Sequence, residues 1–391
     1  MSGERLNCGY VPLVDCAPLI IAHELGFAAQ NGLALNLLKQ PSWAALRDLL
    51  ALGHLDAAHM LSPMPIAMTL GLSGPQVDVI APLVISANGT VFGVSPGLAQ
   101  EMGCSGWESF DLAPGRVLAF FASVDKPLRL GVPFPYSMHR LLFEYLVAGL
   151  SQTQRDLISI VPFPPPLMAD AVAAGEIDLF VVGEPWGTVA VGTGAAEIVL
   201  PGSGIWAHAP EKVLGMRRDW VEANESRAEA LTRAVFEACE WLGVARNHPL
   251  ACEILARSEH LNLPDAAIEA ALSGRITPRL GATPWFVPNF LQFGGAAASF
   301  PWRSSAAWIG GQLCKLEGLD ANKVLPRAAA CFRPDLYRRF LAQTDADMPG
   351  ASAKIEGSLS HPTAVASTRG EMILEADAFF DGKTFDFSEI F

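Results

Sequence analysis

A pattern that occurs twice along the chain constrains its fold more than any other feature. Residues 46–53 form an apolar-periodic run closed by Gly53, followed by Leu55-Asp56, an apolar segment at 57–61, and Ser62-Pro63. Residues 169–175 repeat it, closing at Gly175 and continuing through Ile177-Asp178, an apolar segment and Glu184-Pro185. The paired glycines, aspartates and prolines each lie 122 residues apart. Each copy reads as a helix, a glycine C-cap, a short buried strand and a proline that opens another helix. Helix-glycine-strand units occur in many α/β proteins, but the matched prolines favour a duplicated α/β lobe. Two such lobes face to face enclose a cleft with helix N-termini directed into it, where backbone N–H groups favour an anion.

The remaining chain is compatible with that architecture. Its 391 residues are 51% hydrophobic, enough for large cores in two or three lobes. Charged residues make up 17%, which argues against disorder. A formal net charge of −13 argues against nucleic acid as a direct partner, while a local pocket field can still favour a small anion. The seven cysteines are odd in number, scattered and without a CxxC pair, so they predict free thiols and a reducing compartment. Residues 1–5 run into an apolar strand without a secretory pattern, which gives a cytoplasmic expectation; a chain trimmed from a longer one would be read as periplasmic. No uncharged apolar run of about 18 residues occurs, so no membrane insertion is expected.

Read in order, strands are expected at 6–14, 33–38, 57–61, 78–86 and 91–94. Helices fall between them at 17–25, 43–52 and 63–70, the second capped by Ser42. This alternation predicts a mainly parallel sheet. The second lobe is expected to hold strands at 117–121, 128–132, 159–162 and 196–200 with an amphipathic helix at 138–148. Residues 1–93 with 206–391 form lobe I in this reading, and 94–205 form lobe II. The chain beyond Ser226 reads as mostly helical, and the aromatic tail at 379–385 as packed.

No GxSxG, P-loop, HExxH or GxGxxG motif is present, so neither an enzyme nor a cofactor is expected. His54, Asp56 and His59 suggest a metal, but Asp56 stands at a helix-to-strand junction where a carboxylate bonds backbone N–H groups; no metal is assigned. A more coherent set falls near strand ends and helix starts: Trp43, Asn88, Thr90, His139, Gly183, Glu184 and Lys212. Open α/β sheets bind ligands at such positions. Singly, Trp43 reads better as core, His139 as a satisfied helix N-cap histidine and Lys212 as surface.

The same residues carry a family likeness. The segments Lys39-Gln-Pro-Ser-Trp43, Ala58-His-Met-Leu-Ser-Pro-Met-Pro65, Val182-Gly-Glu-Pro-Trp186, His208-Ala-Pro-Glu-Lys212 and Phe380-Asp-Gly-Lys-Thr-Phe-Asp386 span nearly the whole chain. With them the chain resembles the nitrate and bicarbonate solute-binding proteins of ABC transporters, the NrtA/CmpA type. It resembles most closely their cytoplasmic NasS-like nitrate sensors. The resemblance implies the two-lobed periplasmic-binding-protein fold of type 2, with Trp43, His139, Gly183, Glu184 and Lys212 matching the family's anion-binding residues. Where the nitrate transport proteins carry glutamine, this chain has Thr90, a departure that bears on selectivity among nitrate, nitrite and bicarbonate. A planar, acceptor-only anion needs donors and a counter-charge, which Lys212 would supply. Trp43 would add a wall or an indole N–H, and Glu184 would pair with a cation or orient His139. The implied function is a non-enzymatic sensor that closes on nitrate or nitrite and releases an RNA-binding antiterminator. The alternative is a binding component that serves an ABC permease. An enzyme on the same fold would need a catalytic His or Cys set, which the cleft residues lack.

Overall fold

The computed structural model describes residues 4–104 and 113–390. Strand β1 (Glu4–Tyr10) runs parallel to β2 (Leu33–Lys39) and β3 (Ala57–Leu61). It stops at Tyr10, short of the expected residue 14, and Val14–Cys16 form a turn of 3-10 helix. Pro12 lies in this gap and has no N–H to give a ladder. Strand β4 (Val79–Asn88) completes the first half of the chain, and it does not pair with β3. Between them lies β10 (Pro210–Arg217), antiparallel to both.

The second sheet repeats the plan. Its order is β7 (Ile158–Pro162), β6 (Leu128–Val132), β8 (Leu179–Gly183), β5 (Thr90–Val94) and β9 (Glu197–Pro201). Here β5, arriving from the first half, is antiparallel to both β8 and β9. Each sheet therefore receives one strand from the other side of the crossover; β1 to β4 share one direction and β6 to β9 share one direction, so both sheets are mainly parallel, as the alternation suggests, but each is interrupted by that antiparallel strand. A strand's direction depends on where the chain re-enters, and short-range periodicity does not carry that.

The repeat is physical as well as sequential. Gly53 and Gly175 both end helices with positive φ, 78° and 66°. Asp56 Oδ2 accepts from Asn7 N at 2.8 Å, and Asp178 Oδ2 accepts from Arg129 N at 2.8 Å. In each sheet the carboxylate caps the adjacent parallel strand one residue before pairing starts, at Cys8–Ala57 and Leu130–Leu179. Asp56 is thus committed to the backbone, and no group of three or more potential metal ligands occurs among the described residues.

One expected strand is a helix. Residues 117–121 lie within Gly115–Ser123, where Val117 and Phe121, four apart, are the buried positions. A continuous apolar run fits either structure, and burial on one face decides. The amphipathic helix is present as Met138–Leu146. The tail packs as expected: the rings of Tyr145 and Phe379 are 5.2 Å apart, and Phe379 stacks on Trp308.

The chain passes between sheets at Asn88-Gly89 and returns through 202–209. Both residues of the first crossing have positive φ, 61° and 84°. Asparagine and glycine tolerate that region best. Asn88 also ties the two crossings together: Nδ2 donates to Ala207 O and Asn289 O, and Oδ1 accepts from Ala209 N, each at 2.9 Å. Among the described residues no helix is long and apolar enough to cross a membrane.

Candidate functional site: a buried ionic cluster between the sheets

Strand β10 lies at the centre of the first sheet and carries Glu211 and Lys212 next to each other, both fully buried. Its pairing with β4 slips on both sides of Lys212. Such a bulge re-aims side chains that would otherwise alternate between faces. Lys212 Nζ lies 2.7 Å from Glu211 Oε1 and 2.7 Å from Asp15 Oδ2. Asp15 comes from the Val14–Cys16 turn, and its other oxygen is 2.9 Å from His59 Nε2 on β3. Trp43, the first residue of helix Trp43–Ala51, faces the ammonium, with Nζ 5.6 Å from the ring centre.

The second sheet closes the cluster. Thr90, at the start of β5, donates its hydroxyl to Glu211 Oε2 at 3.3 Å. His139, in the first turn of helix Met138–Leu146, has Nε2 3.6 Å from Glu211 Oε1. Gly183 ends β8 here in a close fit: a Cβ would sit 2.8 Å from Leu13 Cδ2, which would have to shift, and 3.5 Å from both Asp15 Oδ2 and His139 Nε2. Trp43 Nε1 and both ring nitrogens of His139 are buried without a protein hydrogen-bond partner. Groups of this kind are costly unless a ligand or water meets them.

Electrostatics assigns the charges. Burial opposes the Lys212 cation, but Asp15 and Glu211 outweigh it and raise its pKa. Burial would likewise raise the Asp15 carboxyl; the Lys212 ammonium and the His59 contact prevail and bring it down to about 2. Glu211 shares the same ammonium and otherwise has only a hydroxyl, so burial wins and its pKa is raised. Burial depresses His59, and it holds His139 well below the ordinary imidazole range with Lys212 adding to the effect. Both rings are therefore neutral near pH 7.

Five of the seven residues singled out in the sequence meet here: Trp43, Thr90, His139, Gly183 and Lys212. Asn88 does not; it clamps the crossings. Glu184 departs from expectation. Its Oε2 accepts from Thr188 N at 3.0 Å, in the first turn of the helix that follows it, Trp186–Gly192. One N–H of that turn meets Oε2, while Oε1 is buried without a partner, and neither oxygen meets a cation or orients His139, whose ring nitrogens are themselves partnerless. Burial raises its carboxyl to about 7. The slot is also not positively poised, because its one ammonium faces two carboxylates.

Asp15 and Glu211 were missed, and His59 was weighed only as a metal ligand. One signal for Asp15 was available: it is the lone charge within an apolar stretch from Tyr10 to Ala22. A cavity of about 740 Å³ lies elsewhere, lined among others by His248, Cys252, Glu269, Phe286 and Phe290, and shares no residue with the cluster.

Residues 2–256 match the NMT1-like family. The nitrate/nitrite binding protein NrtA of Nostoc sp. (strain PCC 7120) is 31% identical over 389 residues, covering 98% of this chain and 83% of that protein. The nitrate import ATP-binding protein NrtC of Synechocystis sp. is 33% identical over 339 residues, 85% of this chain but 49% of that protein. The chain thus spans about half the length of the NrtC relatives. The crystal structure of the periplasmic nitrate-binding protein NrtA from Synechocystis PCC 6803 superposes with a TM-score of 0.84 at 28% identity, covering 99% of this chain and 97% of that one. The alkanesulfonate-binding protein SsuA from Xanthomonas axonopodis pv. citri shares the fold alone, with a TM-score of 0.58, 17% identity, and 85% and 99% coverage. These neighbours bear out the periplasmic-binding-protein fold expected from the sequence. The chain belongs to the NMT1-like family, among the solute-binding proteins of the NrtA type.

Proposed function

We propose that this protein binds a small, singly charged oxyanion, nitrate or nitrite, between its two lobes and presents it to an ABC permease. The observation that carries the reading is the meeting of Lys212 with the partnerless donors of Trp43 and His139 where the two sheets face each other. Lys212 supplies the counter-charge, and Trp43 Nε1, a His139 ring N–H and the Thr90 hydroxyl supply donors. In a space closed to water such charge-assisted bonds are stronger than at a surface. The relatives' names, nitrate/nitrite binding protein and periplasmic nitrate-binding protein, support the ligand class. Bicarbonate is the nearest competitor, since its hydroxyl suits the acceptors of Glu211 and Asp15.

The cluster is sealed, so the anion enters when the lobes part. The two crossings, at 88–90 and 202–209, are the natural hinge between lobe I (1–93 with 206–391) and lobe II (94–205). No catalytic step and no cofactor enter this reading.

A second reading is a cytoplasmic sensor that holds an RNA-binding antiterminator until the anion binds. The buried free thiols of Cys8, Cys16, Cys239, Cys252, Cys314 and Cys331 favour it, since a reducing compartment suits them. Co-purification with the two kinds of partner separates the readings: nitrate-sensitive release of an RNA-binding protein selects the sensor, and capture by a permease selects transport.

The oxyanion claim is tested by a thermal-shift panel of nitrate, nitrite, bicarbonate and alkanesulfonate. Nitrate or nitrite is expected to raise the melting temperature in proportion to log concentration above its dissociation constant. A panel in which neither does so refutes the reading.

A further inference from the structure

The cluster holds one cation and two carboxylates where the oxyanion reading places a third negative charge. At 4 Å and an effective dielectric of about 20, each pair of like charges costs on the order of 4 kcal/mol, so the count matters. Lys212 alone does not balance three anions. The charge-neutral donors, Trp43 and Thr90, lower the cost without changing the sum.

One proton removes most of the conflict, and the surroundings select where it goes. Glu211 is faced by Lys212 from its own strand, Asp15 with the neighbouring Cys16 thiol from the Val14–Cys16 turn, His59 from β3, His139 from helix Met138–Leu146 and Thr90 from β5. Asp15 has both oxygens committed, one to the ammonium and one to His59. Glu211 shares that ammonium through one oxygen, and its other oxygen meets only a hydroxyl, which can rotate to accept instead of donate. A protonated Glu211 therefore has an acceptor ready in Thr90 Oγ1 or in the anion, whereas a protonated Asp15 would keep His59 only by moving that ring's proton to Nδ1, which is buried without a partner.

Resting on the oxyanion reading, we propose that Glu211 is a ligand-binding residue that takes one proton from solvent as the anion enters and holds it as a neutral carboxylic acid. Binding of an acceptor-only oxyanion is then proton-linked, and acceptor-only ligands are favoured as the pH falls. Burial already holds Glu211 above the ordinary carboxylate range in the absence of the anion, in the direction the mechanism needs. No bond other than O–H is made, and the proton returns to solvent when the anion leaves.

The test is calorimetric titration of sodium nitrate, and of sodium nitrite, into the full chain in buffers of different ionisation heat across the neutral range. The expected result is uptake of close to one proton per anion, with affinity weakening by up to about tenfold per pH unit between the free and bound pKa values of Glu211. Glu211→Gln is expected to bind with no proton uptake and a flat pH profile. Glu184→Gln, which alters the other buried carboxyl with a raised pKa, is expected to keep the linkage. Wild-type binding with the same enthalpy in every buffer overturns the proposal, as does uptake that persists in Glu211→Gln or vanishes in Glu184→Gln. If the wild type binds neither anion, the oxyanion reading itself falls.

Discussion

At the scale of single residues, the cluster makes sharp demands. Gly183 is the tightest: any Cβ would press on Leu13 and stand beside Asp15 and His139. Gly183→Ala is expected to cost about 1–3 kcal/mol in denaturant unfolding and to weaken anion binding as well, because the atom enters the space between the lobes. A variant that binds and unfolds like the wild type would show that β8 has room to move. Lys212→Ala is expected to destabilise by about 3–5 kcal/mol, because it strands two buried carboxylates; a loss under about 1 kcal/mol would mean they are not both charged. This follows from contacts the sequence did not reveal. Trp43, His139, Gly183 and Lys212 were legible as a set because the segments around them carry the family likeness. Asp15 and Glu211 were not, because what makes them important is a lysine on a strand inserted from the far side of the crossover. Glu184 is expected in the pocket from its neighbours in sequence, yet one of its oxygens goes to the N–H of Thr188 and the other, buried and partnerless, meets no residue of the cluster.

At the scale of elements, the legible part is the repeat. A glycine with positive φ, an aspartate and a proline recur with one spacing, and each aspartate performs the same task. Asp56→Ala leaves Asn7 N without its acceptor and is expected to lower stability by about 1–2 kcal/mol, read as a shifted urea midpoint with unchanged slope. An unchanged midpoint would show that water replaces the carboxylate. Less was legible for the other elements. The helix Gly115–Ser123 reads as a strand in sequence because an unbroken apolar run reports burial without reporting period. The antiparallel placement of β5 and β10 was equally hidden, since it is set by the two crossings and not by anything within the strands.

At the scale of the molecule, buried carboxyls tie stability to pH. Asp15 has its folded pKa lowered to about 2 from 3.8, so its contribution is present above pH 3.8 and is lost as the pH falls through about 2. Glu184 has the opposite sign. Its folded pKa is raised to about 7 from 4.5, so the protonated form favours folding fully below 4.5, and that advantage disappears as pH rises through 7. Glu184→Gln is therefore expected to flatten a decline on the order of 3 kcal/mol across that window, followed by denaturant titrations at several pH values. A decline of the same size in the variant would assign it to another group. On the proposed reading, the two lobes part and close at the crossings around a small charged ligand. The most direct measurement is a crystal structure grown with nitrate. The account expects the anion against Lys212 Nζ, within reach of Trp43 Nε1 and His139; nitrate bound elsewhere, with Lys212 still held by Asp15 and Glu211 alone, would contradict it.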